Sequence, residues 1–502
     1  MKKELEIIYK IQKDISVLSS VLTLLDWDQK TYMPEDANRG RAEQTSSILK
    51  IIHEKFMSEE LYKAVKRLHN PRNLNKLKKK DQIIIKRLYK DVLDARKIPT
   101  EFVEELAKTS TIATMAWQKA KEKNDFKIFA PWLKKLVKLK RQESKYIGIK
   151  GHIYNSLLDE FEEGMTVEKI KPIFDKLKEE LIQLLKEIKK TRTYKIQKNT
   201  VRGKKYSITK QKKLSENIIN LMTLPPTKSR LDMSSHPFTL GLSYDDIRIT
   251  TRYDETNPFE SLTSTIHEAG HCLYQLGLPR EFEYTVIGGP ASIGLHESQS
   301  KFWENMIGKN IWFWNYYFST FKKEYREELK NVVLRDFYKD INMVKPGTNR
   351  VMADEVTYCL HVILRFELEL ELIEGKLRID DLPKAWKKKM KEFLGVVPKN
   401  DREGVLQDIH WGLGAFGYFP TYAIGVIYAS QLFDCLKKEK PSIKKQIEKG
   451  NFKPVVDWLK EHVHKYGRIL TADQIIKKTC RKGLDPDFFI QYLRNKYLEL
   501  YK

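Results

Sequence analysis

Residues 257–277 read NPFESLTSTIHEAGHCLYQLG, and this stretch decides the fold class and points to the chemistry. Asn257, Pro258 and Glu260 occupy the N-cap, N1 and N3 positions of a helix start, and Gly277 marks its stop. Phe259, Leu262, Ile266, Leu273 and Leu276 recur at helical spacing, so one face of this helix points into a core. His267 and His271 lie one turn apart on a shared face, where two imidazoles converge on one ion at roughly 2.0 to 2.1 Å. Glu268 is rotated from His267 by about 100°. It therefore points beside the ion rather than at it, where a carboxylate can take a proton from an activated water.

A hydrolytic zinc needs three protein ligands and one open position. His296-Glu297-Ser298-Gln299 follows His271 after a stretch holding Gly277, Pro279, Gly288, Gly289, Pro290 and Gly294. Those residues let the chain turn back, so that a helix beginning near Leu295 lies beside the first one. Glu297 is the expected third ligand, with His296 and Glu304 as rivals. An acid in a helix's first turn also serves the dipole, which is the plain structural alternative for Glu297.

Outward from this centre the pattern is mostly helical. Leu5, Ile8, Ile11, Ile15 and Leu18 form one apolar face, and similar stripes recur over 81–95, 101–124 and 167–190. Only the stretch 234–253 changes period: Leu240, Leu242 and Tyr244 alternate, then Ile247, Ile249, Thr251 and Tyr253. The expected architecture is mainly α, one large helical domain with a small β-sheet next to the zinc helix. Its parts are a helical N-terminal region over 1–190, the sheet over 234–253 and a helical region over 257–502. The basic stretch 191–213, poor in large apolar residues, reads as an exposed connection.

Composition narrows the class. With 92 Lys+Arg against 67 Asp+Glu the formal charge is +25, but the basic clusters are scattered and lysine-rich. That pattern favours a solvated surface over a nucleic-acid partner. Cys272, Cys359, Cys435 and Cys480 lie far apart and form neither a disulfide framework nor a thiolate metal site, which suits a reducing cytoplasm. The apolar run from Ile15 to Leu25 lacks the flanks of a signal peptide. Trp411 to Phe433 carries no charge, but its glycines and Pro420 make it a turn-rich loop feeding a buried helix rather than a membrane span.

Several ordered motifs together resemble the carboxypeptidase Taq family of zinc metallocarboxypeptidases. They are His236-Pro237-Phe238, Asp246-x-Arg248-x-Thr250, the His267–His271 motif, His296–Gln299, Asn349-Arg350-x-x-Ala353-Asp354-Glu355 and Gly404-x-x-Gln407-Asp408-x-His410-Trp411. Leu25–Gln29, Met33-Pro34 and Arg41–Glu43 near the N-terminus also fit, and the segment around 191–213 is the one departure. The resemblance implies a nearly all-helical fold with a deep groove, partly covered by an N-terminal helical lid, and a homodimer. It implies removal of single residues from the free C-termini of peptides, with broad specificity and little action beyond Pro. Its metal is zinc, with cobalt as a functional substitute. The family's ligand positions fall on His267, His271 and Glu297, and its general base on Glu268.

Recognition of a C-terminal carboxylate calls for an arginine fork, and Arg350 is the first candidate. Its structural alternative is an ion pair with Asp354 or Glu355. Arg248 is the second candidate: with Asp246 it lies on one strand face that either borders the groove or is simply solvated. His410, Tyr422 and His236 sit in matching family motifs and are candidates to hydrogen-bond the scissile carbonyl or the oxyanion. Asp354 and Asp408 either orient these groups or cap helices. An endopeptidase with the same centre, and a basic nucleic-acid-binding protein with a non-catalytic zinc, are the rival readings.

Overall fold

The computed structural model describes residues 1–502. The chain opens with α1 (Lys2–Thr31), α2 (Asn38–Phe56), α3 (Glu59–His69) and α4 (Lys79–Arg96). Ile8 and Ile11 of α1, Leu61, Val65 and Leu68 of α3, and Ile85, Leu88 and Val92 of α4 close a small core of their own. Helix α2 packs along α1 yet buries none of its residues. From α5 (Thr100–Lys123) onward, through α6 (Ala130–Ile147), α7 (Val167–Lys190) and α8 (Ile208–Leu221), the apolar faces join one large core. That core is completed by α9 (Pro258–Leu276), α10 (Ile293–Lys301), α11 (Ile311–Glu324), α12 (Tyr358–Glu374), α13 (Leu382–Leu394), α14 (Phe419–Glu439) and α15 (Asp487–Leu500). No helix is long and apolar enough to cross a membrane.

The sheet has three strands, β1 (Ser229–Met233), β2 (Thr239–Ser243) and β3 (Asp246–Thr251), in the order β1-β3-β2. β2 and β3 form the antiparallel hairpin that alternation predicts, and β1 adds to β3 in parallel. The pattern over 234–253 misses β1 for a physical reason. Its buried position is Asp232, a charge, satisfied by the Arg230 guanidinium and by the Tyr32 hydroxyl at 2.8 Å. A strand whose inward residue is ionised does not display apolar alternation.

One local expectation is corrected, and two hold in position with a different physical cause. The stretch 191–213 is not a free connection: Val201 and Tyr206 are buried, and the Asp340 carboxylate accepts the Val201 amide at 2.7 Å and the Thr200 hydroxyl at 3.0 Å. Its few apolar residues are enough because a buried acid anchors the backbone between them. At the start of α9, Asn257 caps through its carbonyl, which accepts the Glu260 amide at 3.2 Å, and its side chain makes no cap bond. Gly277 ends α9 with φ −89°, so left-handed freedom is not why glycine stands there. A Cβ at that point would collide with the His464 ring, so the position is reserved by close packing.

His361 and His464 are buried, and burial pushes both imidazoles down to about 3, with Arg365 and Arg350 adding to the effect on His361 and Lys460 on His464. Both rings fold neutral. The unfolded chain takes up their protons below the ordinary value of 6.5, so stability is full above that pH and is lost progressively below it. Each histidine contributes a slope of at most about 1.4 kcal/mol per pH unit. Calorimetry of the chelated protein at pH 7.5 and 5.0 should therefore show a falling thermal midpoint, with a smaller fall for His464→Gln.

Candidate active site

The site is built where α9 and α10 cross. Gly270, between the two histidines, makes this approach possible: a Cβ there would lie 2.7 Å from the Gln299 carbonyl and 2.9 Å from the Ser300 Cα. α10 starts at Ser292, whose hydroxyl accepts the Leu295 amide at 3.0 Å, and it presents Glu297 one turn later. The Glu297 carboxylate lies 3.6 Å from His267 Nε2 and 3.4 Å from His271 Nε2. Both distances are long for hydrogen bonds. They match the edge of a tetrahedron whose centre holds a metal about 2.1 Å from each donor, which is about 3.4 Å. The three donor atoms lie within 4.8 Å of one another, and this trio can hold a metal ion. Two imidazole nitrogens and one carboxylate oxygen suit a zinc-class ion with a further position open.

The rival ligands have other places. His296 stacks on His271, with ring centroids 4.3 Å apart, and lies outside the trio. Glu304 accepts His267 Nδ1 at 2.8 Å, fixing the ring so that Nε2 faces Glu297. Lys301 and Lys309 each reach Glu304 at 2.8 Å. Glu304 sits in a π-helical turn, Phe302–Gly308, that continues α10. Burial alone would raise the Glu297 carboxyl, yet His267, His271 and Lys301 hold it down at about 2. Glu268 is buried beside the trio, and the Thr239 hydroxyl on β2 donates to its Oε2 at 2.6 Å.

A second cluster surrounds Arg350. Its partner is Asp408 rather than Asp354 or Glu355: Nε and Nη2 donate to the same Asp408 oxygen at 3.0 and 2.9 Å. Asp354 instead accepts the amides of Lys345, Val356 and Thr357, tying down the loop before α12. The other Asp408 oxygen accepts Arg365 Nε at 2.7 Å, and Gln407 accepts Arg365 Nη2 at 2.7 Å. The Tyr422 ring lies against the Arg350 guanidinium, centroid 4.6 Å away, and its hydroxyl is 3.1 Å from His410 Nε2. Burial pulls His410 down to about 4, Arg350 and Arg365 adding to the effect against Asp408, so this imidazole is neutral near pH 7.

The two clusters meet on α14. Tyr422 supports Arg350, and Gly425, one turn further on, faces Glu297, where a Cβ would lie 2.9 Å from Glu297 Cγ. Helical rise sets those contacts about 4.5 Å apart along the axis. The remaining candidates lie elsewhere. Arg248 pairs with Asp246 at 3.0 Å and stacks on Trp27 of α1, centroid 4.3 Å away. His236 is exposed in the β1–β2 connection, where its carbonyl accepts the Ser234 hydroxyl. Sequence reasoning missed Thr239, Lys301 and Arg365. Arg365 had a visible signal, a lone cation inside the apolar run CLHVILRFEL, which demands a buried counter-charge.

With this geometry in view, comparisons with known proteins decide the family. The model of the carboxypeptidase Taq (M32) metallopeptidase family matches residues 7–497. The chain belongs to that family. It is 35% identical to thermostable carboxypeptidase 1 of Pyrococcus furiosus, covering 95% of each chain, and 35% identical to carboxypeptidase 1 of Bacillus subtilis, covering 98% of each. Among solved structures, an M32 carboxypeptidase of Deinococcus radiodurans superposes with a TM-score of 0.96 at 32% identity, over 99% of each chain. Metallocarboxypeptidase 1 of Trypanosoma cruzi gives 0.94 at 30%, over 99% of this chain and 100% of that one. The protein is thus a metallocarboxypeptidase, and a trio able to hold a metal lies on the helices described above.

Gly425→Ala should displace Glu297 and weaken metal retention about tenfold or more. Bound metal measured against a competing chelator checks this, and wild-type affinity would mean that α14 yields instead of Glu297.

Proposed function

We propose that this family member is a zinc carboxypeptidase that releases single residues from peptides bearing a free C-terminus. The observation that carries the reading is the single turn of α14 joining the metal trio to the Arg350–Asp408–His410–Tyr422 cluster. A metal ion and a carboxylate-binding cation held one turn apart along the same helix suit cleavage of the last peptide bond.

The residues divide the work as follows. His267, His271 and Glu297 hold the ion, which when bound supplies Lewis acidity to the last peptide carbonyl and to a water. Glu268, oriented by Thr239, takes the proton of the attacking water and passes it to the leaving amine. Arg350 turns Nη1, which has no partner within the protein, to the substrate carboxylate while Asp408 holds Nε and Nη2. The His410–Tyr422 pair supplies a neutral hydrogen-bond donor where negative charge gathers on the carbonyl oxygen. Asp246, Arg248 and His236 border the approach and contact the substrate backbone.

This reading includes broad side-chain specificity with little action beyond Pro, and cobalt as a working substitute for zinc. The first four helices act as a lid on a deep groove, which their separate small core supports. A homodimer is supported by exposed Val17, Val21 and Leu24 on α1 and Leu49 and Ile51 on α2, an apolar strip that a second copy can cover. The protein works in the cytoplasm, and neither nucleic acid nor a membrane is among its partners.

Glu268→Gln should keep its metal and lose at least about a hundredfold in kcat, as expected for removal of a general base. Wild type should trim free peptides one residue at a time, stop after chelation and resume with zinc or cobalt. Internal cleavage of peptides amidated at the C-terminus would replace this reading with an endopeptidase.

A further inference from the structure

The loop 411–417 links His410 to Tyr422; Trp411 and Phe416 seat it in the large core, and its polar backbone needs partners there. Helix α12 faces it with two residues one turn apart, Arg365 and Glu369. Arg365 engages Asp408 and Gln407, as described above. Glu369 is 0% exposed and forms no ion pair, so its carboxylate is buried without a salt-bridging cation. It is nevertheless fully engaged. Oε1 accepts the Trp411 indole N–H at 2.8 Å, and Oε2 accepts the Gly417 amide at 3.0 Å and the Tyr154 hydroxyl.

Those donors mark both ends of the loop. Trp411 directly follows His410, and Gly417 precedes the Tyr418–Tyr422 turn that opens α14. Gly417 has φ +94°, and a Cβ there would strike the Leu157 backbone, so the far end is also pressed onto the segment that carries Tyr154. Within the loop the His410 carbonyl accepts the Ala415 amide at 2.9 Å, closing it as a compact unit. Burying a carboxylate without an ion pair is costly, whereas a neutral amide would cap one indole N–H more cheaply. Only a carboxylate offers acceptors alone, at two oxygens, to donors from both ends of the loop at once.

From this geometry we infer that Glu369 is a positioning residue: its carboxylate ties Trp411 to Gly417 and so holds His410 at hydrogen-bonding distance from Tyr422. The inference rests on the proposed role of the His410–Tyr422 pair and acts only through it. Glu369 itself touches neither the metal donors nor Arg350.

The test is a double-mutant cycle of Glu369→Gln and His410→Ala, with kcat and KM measured separately and metal content and thermal midpoint as controls. Glu369→Gln should lower kcat about tenfold and leave KM within about twofold. In the His410→Ala background the same change should cost less than about twofold. A full tenfold loss in both backgrounds would make Glu369 merely structural and overturn the inference. Wild-type kcat for Glu369→Gln beside an impaired His410→Ala would overturn it while leaving the catalytic reading intact. Wild-type kcat for both would remove the role of His410 and the inference with it. If Glu369→Gln does not fold, Tyr154→Phe removes one donor without loss of volume. It should give a smaller kcat loss that also disappears in the His410→Ala background, and persistence there would again overturn the inference.

Discussion

The close approach of three helix backbones is the constraint on which the rest depends. α9, α10 and α14 meet at Gly270 and Gly425, and each glycine stands where a methyl group would sit inside van der Waals contact of a neighbouring backbone or of Glu297. Interiors packed at crystal density do not absorb such intrusions. The glycines therefore set the distance between the histidine helix and the glutamate helix, and the histidine–glutamate separations follow from it. The polar shell comes next: Glu304 turns the His267 ring, Thr239 holds Glu268, and Asp408 holds Arg350. None of these bonds could fix a metal geometry if the helix axes stood an ångström further apart.

The parts of this arrangement that were legible in the sequence are those encoded by short-range spacing. His267 and His271 one turn apart, and a return through glycines and prolines to Glu297, follow from the geometry of one helix and one turn. The hairpin β2–β3 follows from alternation. What was hidden depends on partners distant in sequence. Asp232 makes β1 a strand because Tyr32 lies 200 positions away to receive it. Arg350 pairs with Asp408, 58 positions on, although Asp354 and Glu355 are nearer along the chain. Gly270 carries no signal within the motif itself, and only the second helix gives it a reason.

Charge shows the same contrast between composition and placement. A chain with a formal charge of +25 has a site rich in acids: Glu297 among the three candidate metal donors, with Glu268 and Glu304 beside them. Lys301 and Lys309, which flank the π turn, pair with Glu304, while His267, His271 and Lys301 leave Glu297 ionised, which a metal ligand requires. Near Arg350 the signs alternate in space, Arg365 and Arg350 flanking Asp408, so that two buried guanidinium groups share one acid. That leaves one positive charge in excess beside Arg350, which suits the proposed docking of a substrate carboxylate. Net charge over the chain predicts none of this.

The separate core of α1, α3 and α4 has a consequence for how the molecule loosens. Apart from one small apolar patch, where Ile84 packs on Phe282 and Ile287, the helices that seal it meet the body through polar contacts such as Gln12 Oε1 with the Val286 amide at 3.0 Å, Tyr32 with Asp232, and Trp27 against Arg248. Water can replace contacts of this kind at little net cost, whereas the apolar seam among α9, α10 and α14 has no such substitute. The first hundred residues therefore form a cooperative unit able to detach with its interior intact. Amide exchange in this chain would divide into two populations long before global unfolding, and the slower one would contain the metal helices.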